Sequence, residues 1–151
     1  MGVQSFFVLN KAGGLIMQRS YSDRAPRLTQ NDYIHLASTF HSMQLLVREL
    51  SPVSNARECG GIARMEATTF RLYAMIAATG VEMFVTCDAN PATAPAAGAH
   101  DRMADFLKEA YISYTDYVLK NPFYEIDMPI KSEPWDAHLI KIVDKYNRVG
   151  S

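Results

Sequence analysis

With 151 residues, 48% of them apolar and 21% charged, the chain has the make-up of one globular domain, residues 1–151, large enough to bury a core. Fifteen basic against sixteen acidic residues leave a net charge of -1, which argues against a nucleic-acid binder that relies on a strongly basic surface. Two cysteines, Cys59 and Cys87, suit a reducing compartment better than a disulfide scaffold. No apolar run approaches the ~20 residues of a membrane span, so direct membrane insertion is not expected. The opening Met1 and Gly2 lack the Ser or Thr that myristoylation wants at the sixth position, where Phe6 stands.

Residues 3–9 form an almost unbroken apolar run, which predicts a strand covered on both faces. Asn10, Lys11, Ala12, Gly13 and Gly14 make a turn, and Leu15, Ile16 and Met17 start the return strand of a hairpin. A short connection at 21–27 leads into a long helix over 29–52. Thr29 followed by Asp32 resembles a capping box, and Pro52 is a stop. About 22 helical residues would make a rod of roughly 33 Å, enough to cross a small domain.

Leu36, Phe40, Met43, Val47 and Leu50 recur at three- and four-residue steps and are expected to face the core. Ile34, Ser38, His41 and Leu45 form a second line, flanked by Asn31, Arg48 and Glu49. A helix with two such lines has two things to pack against. Asn31, Ile34, His35, Ser38, His41 and Leu45 are therefore the candidate partner-binding residues.

A polar loop at 53–61 follows. Arg64, Glu66 and Thr68 alternate with Met65, Ala67 and Thr69, as in a half-exposed edge strand guarded by charge. Residues 72–77 read as another strand, Thr79 and Gly80 as a tight reversal, and Met83, Phe84 and Val85 as a central strand. The Ala- and Pro-rich stretch 88–98 is a loop. Met103, Phe106, Leu107, Ala110, Tyr114, Tyr117 and Val118 form the stripe of a helix stopped by Lys120, Asn121 and Pro122. Tyr124, Ile126, Met128 and Ile130 then alternate with polar residues, predicting an extended segment with those four inward. Pro134 opens a last helix whose Leu139, Ile142, Val143 and Tyr146 point one way. The expected fold is α+β: a five-stranded antiparallel sheet, the long helix on one face and the two terminal helices on the other.

Motifs for chemistry are missing. Cys59 and Cys87 belong to no CxxC pair, and His35 and His41 stand about 120° apart on a helix, unlike an HxxxH zinc pair. The paired glycines at 13–14 and 60–61 are too short for a phosphate loop, and no GxSxG elbow occurs. Arg64 with Glu66, and Asp116 with Lys120, read as solvated surface charges. The expectation is a small scaffold with no catalytic residues, no metal and no cofactor.

Several stretches together resemble the synbindin family: the hairpin Asn10, Lys11, Ala12, Gly13, Gly14, Leu15, Ile16; the helix entry Arg27, Leu28, Thr29 with Asn31; Leu36, Ala37, Ser38 with Phe40, His41, Ser42; and Leu50, Ser51, Pro52. The most specific are Lys120, Asn121, Pro122, Phe123, Tyr124 and Met128, Pro129, Ile130. The resemblance runs from one end of the chain to the other. It implies a longin-like (SNARE-like) fold and a place as a core small subunit of the TRAPP tethering complex, which promotes guanine-nucleotide exchange on a Rab-type GTPase in transport between endoplasmic reticulum and Golgi. The implied partners are other TRAPP subunits, longin-like and Bet-type, and a Rab GTPase reached through the assembly. The implied location is the cytoplasm, at the periphery of Golgi and endoplasmic reticulum membranes. Animal members carry a PDZ-like insert between the second strand and the long helix, where only residues 21–27 stand here, so activities of that insert, such as binding a proteoglycan tail, are not implied. The alternative is another longin-like trafficking protein, a small adaptor chain or a longin SNARE. The SNARE would need a heptad region and an anchor after the domain, and this chain is expected to end with its last helix at Ser151.

Overall fold

The computed structural model describes residues 3–21, 29–50, 64–66, 70–77, 79–88, 99–125 and 128–149. In chain order these hold β1 (Val3–Leu9), β2 (Leu15–Ser20), α1 (Gln30–Leu50), β3 (Arg64–Glu66), β4 (Phe70–Ile76), β5 (Glu82–Asp88), α2 (Ala99–Tyr114, running on into a π-helical turn, Thr115–Leu119) and α3 (Glu133–Val149). Cys59, the expected loops at 53–61 and 88–98, and Pro52, Ala67, Thr68, Thr69 and Ile126 lie partly or wholly outside the described residues.

The apolar runs at β1 and β5 put them side by side in the middle of the sheet, whose order is β2-β1-β5-β4-β3 with every pairing antiparallel. Phe7 stands opposite Gln18 on one side and Phe84 on the other. As expected, β3 is an edge, paired with β4 alone among the described residues. Its Arg64 and Glu66 form an ion pair in solvent. Hairpin turn bonds join β1 to β2 and β4 to β5, where Ala77 N–H donates to Val81 O (2.8 Å). Asn10 accepts at its carbonyl from Gly13 N–H (3.0 Å), and its side-chain oxygen takes the Gly14 N–H (2.7 Å).

Period-two alternation along the strands splits the core in two. Phe7, Leu9, Leu72, Ala74 and Phe84 face α1, where Ala37 and Phe40 meet them. Phe6, Val8, Tyr73, Met83 and Val85 face α2 and α3 and pack on Phe106, Leu107, Trp135 and Leu139. The sheet is therefore covered on both faces, with one helix on one side and two on the other.

Trp135 anchors the two-helix layer. It is fully buried, edge-on to Phe6 and tilted against Tyr114, and its indole N–H donates to Ser113 Oγ at 2.8 Å. Ser132 caps α3, its carbonyl taking the Asp136 N–H at 3.0 Å, so Pro134 falls in the first turn, where its missing N–H costs no bond. Leu139, Ile142 and Val143 are buried as expected.

Two expectations on this side of the sheet need correction. Of the two stripe residues expected at the end of the second helix, Val118 is buried but Tyr117 is exposed, because the π-helical turn over Thr115–Leu119 has more residues per turn and carries Tyr117 off the stripe. In the extended segment Ile130 is buried and hands its N–H to Ile16 O (2.8 Å), and Tyr124 is half-buried, but Met128 faces out. Met128 N–H donates back to Glu125 O (3.3 Å) and the Met128 carbonyl accepts from Tyr124 OH (3.0 Å), so the strict alternation fails there.

Ser113→Ala should cost about 1–3 kcal/mol, because it strands the buried indole N–H without an acceptor. Urea unfolding followed by the fluorescence of Trp135 measures it. A double-mutant cycle with Trp135→Phe, followed by far-ultraviolet circular dichroism because Trp135 is the one tryptophan, should return a coupling of about 0.5–3 kcal/mol.

Candidate protein-interaction site

The α1 helix starts on a reciprocal cap. Thr29 Oγ1 accepts from Asp32 N–H (3.2 Å), and the Asp32 carboxylate accepts from Thr29 N–H (3.4 Å), so two otherwise unpaired donors are satisfied. The carboxylate also sits at the positive end of the helix dipole.

The face that α1 lays on the sheet is Tyr33, Ala37, Phe40 and Gln44. Phe40 meets Phe84 with ring centroids 4.4 Å apart, Phe84 stacks on Phe7 at 4.5 Å, and Tyr33 tilts against Phe7 at 6.0 Å. Of the five residues expected on the core face, Phe40 is buried and Met43 and Val47 are half-buried, but Leu36 and Leu50 are exposed. At 100° per residue the helix is rolled by roughly 70° from the expected orientation. Fully buried Ala37 stands at the centre of the observed face, packed in one cluster with Phe7, Phe40 and Phe84, where a small side chain permits close approach. The spacing Tyr33, Ala37, Phe40 was available in the sequence, but Gln44 interrupts it with a polar residue and the all-apolar stripe outscores it.

The same roll sets the six candidate residues. Asn31, Ile34, His35, Ser38 and Leu45 are exposed, Ile34 at 45% and Leu45 at 50%. They occupy a flank of the helix and its outer surface. His41 does not join them in solvent. It turns inward, half-buried, with Nδ1 2.9 Å from Glu82 Oε1 at the start of β5. Gly13 backs it in the β1–β2 turn at φ +88°, and a Cβ on Gly13 would come within 2.5 Å of the imidazole Cδ2. A glycine is thus required twice over, for the left-handed backbone and for the closeness of the ring. One carboxylate oxygen of buried Glu82 has no hydrogen-bond partner, so the histidine is its sole polar anchor among the described residues.

Leu36, Leu46 and Leu50 lie on the other flank, Leu50 at 75% exposure. The helix therefore carries exposed apolar side chains on both flanks, separated by the polar strip of His35, Ser42 and Glu49. Sequence reading missed the second flank because it had assigned those leucines to the core.

Chemically the rest of the described chain is quiet. The buried Cys87 thiol, 3.5 Å from Met103 Sδ, is pushed up to about 12 by burial, which keeps it a thiol near neutral pH. Tyr146 is likewise raised to about 12, by burial and by its hydrogen bond to Glu109. Among the described residues no group of three or more His, Cys, Asp or Glu could hold a metal ion, and no helix is long and apolar enough to cross a membrane.

Comparison with known proteins places these features in a family. The Sybindin-like family profile matches residues 3–146. The trafficking protein particle complex subunit 4 of Dictyostelium discoideum is 38% identical over 143 residues, covering 95% of this chain and 97% of that protein. The human protein of the same name is 33% identical over 126 residues, 83% of this chain, and the matched region is 52% of its length. A Roadblock/LC7 domain from Streptomyces avermitilis shares the fold, with a TM-score of 0.50 and 18% identity over 74% of this chain and 85% of that one.

Phe40→Ala should destabilise the free chain by about 3–5 kcal/mol, since it opens a cavity against Phe84. Leu45→Asp and Leu50→Asp should stay within about 0.5 kcal/mol of the parent, as for surface positions. Thermal and urea melts of the three variants check the orientation of the helix.

Proposed function

The chain belongs to the Sybindin-like family, and from that membership we propose that it is a non-catalytic subunit of a trafficking protein particle complex, supplying part of the platform on which a Rab-type GTPase exchanges its nucleotide in transport between endoplasmic reticulum and Golgi. The observation that carries this reading is the near full-length match to the Dictyostelium subunit, 38% identical over 95% of this chain. The exposed flanks of α1 agree with it, because a helix with apolar side chains on both sides of its buried face suits a chain that finishes its packing against neighbours. Those neighbours are other subunits of the complex, longin-like and Bet-type, and the work is done in the cytoplasm at the periphery of Golgi and endoplasmic reticulum membranes.

Nucleotide exchange asks for no acid, base or nucleophile from such a subunit. It asks for a surface that binds the nucleotide-free GTPase better than the loaded one, because a partner shifts an equilibrium only by its differential affinity. One subunit holds part of that surface and leaves the rest to its neighbours.

Burying a leucine contributes about 1.5–3 kcal/mol, and each 1.4 kcal/mol is a factor of about ten in affinity. Leu45→Asp should therefore weaken assembly with the co-expressed remaining subunits by tenfold or more, measured by titration of the purified free chain, with its melt unchanged. Wild-type affinity in Leu45→Asp would remove this flank of α1 from the interface.

The second test is exchange itself, followed as release of a fluorescent GDP analogue from the Rab GTPase. The isolated chain should leave the release rate at its spontaneous value, and the reconstituted complex should raise it. Exchange by the chain alone at the rate of the complex would overturn the non-catalytic platform reading.

A further inference from the structure

The segment that follows the π-helical turn of α2 holds the most exposed large apolar side chain among the described residues. Phe123 is 92% exposed. Its neighbours show why this is not a loose chain end. Asn121 N–H donates to Val118 O at 3.2 Å, continuing the helix by one bond. Asn121 Oδ1 then accepts from Phe123 N–H at 3.1 Å, its carbonyl accepts from Tyr124 N–H at 3.2 Å, and Pro122 between them has a fixed φ. Tyr124, half-buried against the α2–α3 core, closes the far side by donating its hydroxyl to Met128 O at 3.0 Å. Every backbone donor from 121 to 124 that can make a bond makes one, and Asn121, Pro122 and Tyr124 are all used to hold a ring that touches almost nothing.

We propose that the turn at residues 121–124 is a preformed anchor whose Phe123 ring enters an apolar pocket on a neighbouring protein subunit. The inference rests on the assembly reading above but concerns a different surface, on the α2–α3 side of the sheet and away from α1. The shape identifies the occupant. A single projecting ring needs a concave partner, and a phenyl group with no polar atom needs a pocket lined by aliphatic or aromatic side chains. Preorganisation is what makes the contact worth having, because the turn is ordered before binding and little conformational freedom is left to lose. Charge nearby favours a protein over a lipid surface. Lys120 is already paired with Asp116 at 3.1 Å and Glu125 stands exposed two residues on, whereas a membrane anchor of this kind would sit in a cluster of free basic residues.

The test uses the full chain and the co-expressed remaining subunits of the complex. Phe123→Ala should leave the melt of the free chain unchanged and weaken its titration into those subunits by tenfold or more. Asn121→Ala, which removes the acceptor that shapes the turn, should weaken it by a smaller factor, and Phe123→Leu should keep most of the affinity. A 4-fluorophenylalanine at position 123 gives a direct readout, since its 19F solvent isotope shift should be lost in the complex. Wild-type affinity in Phe123→Ala, or a 19F signal that stays solvated in the complex, overturns the anchor while leaving the assembly reading intact. Failure of the wild-type chain to assemble at all overturns that reading, and the anchor with it. Two other results also overturn the proposal: self-association of the chain alone that Phe123→Ala abolishes, and phosphatidylserine vesicle binding that depends on Phe123.

Discussion

The architecture depends on the double-sided burial of β1 and β5. A strand apolar at consecutive positions cannot satisfy itself by facing one core, because successive side chains point to opposite sides. With Phe6 and Phe7 both buried, and likewise Met83 and Phe84, a layer is demanded on each face of the sheet. The chain has three long helices in its described residues to meet that demand, and their amphipathic character decides the allocation. The broad apolar faces of α2 and α3 fill the Trp135 side, and α1 covers the other with a narrow contact centred on Ala37 and Phe40.

Beside the aromatic contacts of Tyr33 and Phe40, His41 adds a polar tie between the helix and the sheet. The imidazole reaches over the end of the sheet to Glu82 and is backed by Gly13, so one side chain ties α1, β5 and the β1–β2 turn together. A buried carboxylate with a single partner is a costly element to keep. Its return is specificity of position: with His41 fixed inward, Ile34 and Leu45 beside it on the helix stay on the exposed flank. The placement of the outer surface is thereby written on the inner one.

What could be read from residues and what could not follows the same physics. The strands were legible because period-two and continuous apolar runs have few other solutions, and the charged Arg64 and Glu66 marked their own strand as an edge. The cap at Thr29 and Asp32 was legible because capping is local. The roll of α1 was not. Helical periodicity locates an apolar stripe but cannot weigh a small residue that allows close approach against a leucine that merely repeats at the right spacing. Leu36 and Leu50 therefore went to the core on paper and to solvent in the fold, and His41 went the other way. Tyr117 failed for a related reason, since a π-helical turn breaks the phase on which the stripe was counted. Trp135 falls in helical step with Leu139, Ile142 and Val143, but spacing cannot show its partner, because the acceptor Ser113 lies 22 residues away in sequence. Of the candidate interaction residues, the sequence could suggest the type of surface but not its rotation.

The two kinds of exposed apolar group on this chain differ in what holds them. On α1 the leucines and Ile34 ride on a helix whose inner face is already packed, so where the helix sits fixes their exposure, and any partner that covers them meets a broad ridge with a polar strip along its crest. At Phe123 the backbone is shaped by Asn121, Pro122 and Tyr124 around a single ring, and nothing in the core requires that ring to be there. A ridge buries area gradually and tolerates shifts along its length, whereas one ring in one pocket fixes a point. The ridge and the ring also lie on opposite layers of a sheet whose central strands both layers share, so the rigid element between the two surfaces is the pair β1 and β5. That pair is buried along both of its faces, so the ridge and the ring stand on opposite sides of the most tightly packed part of the fold.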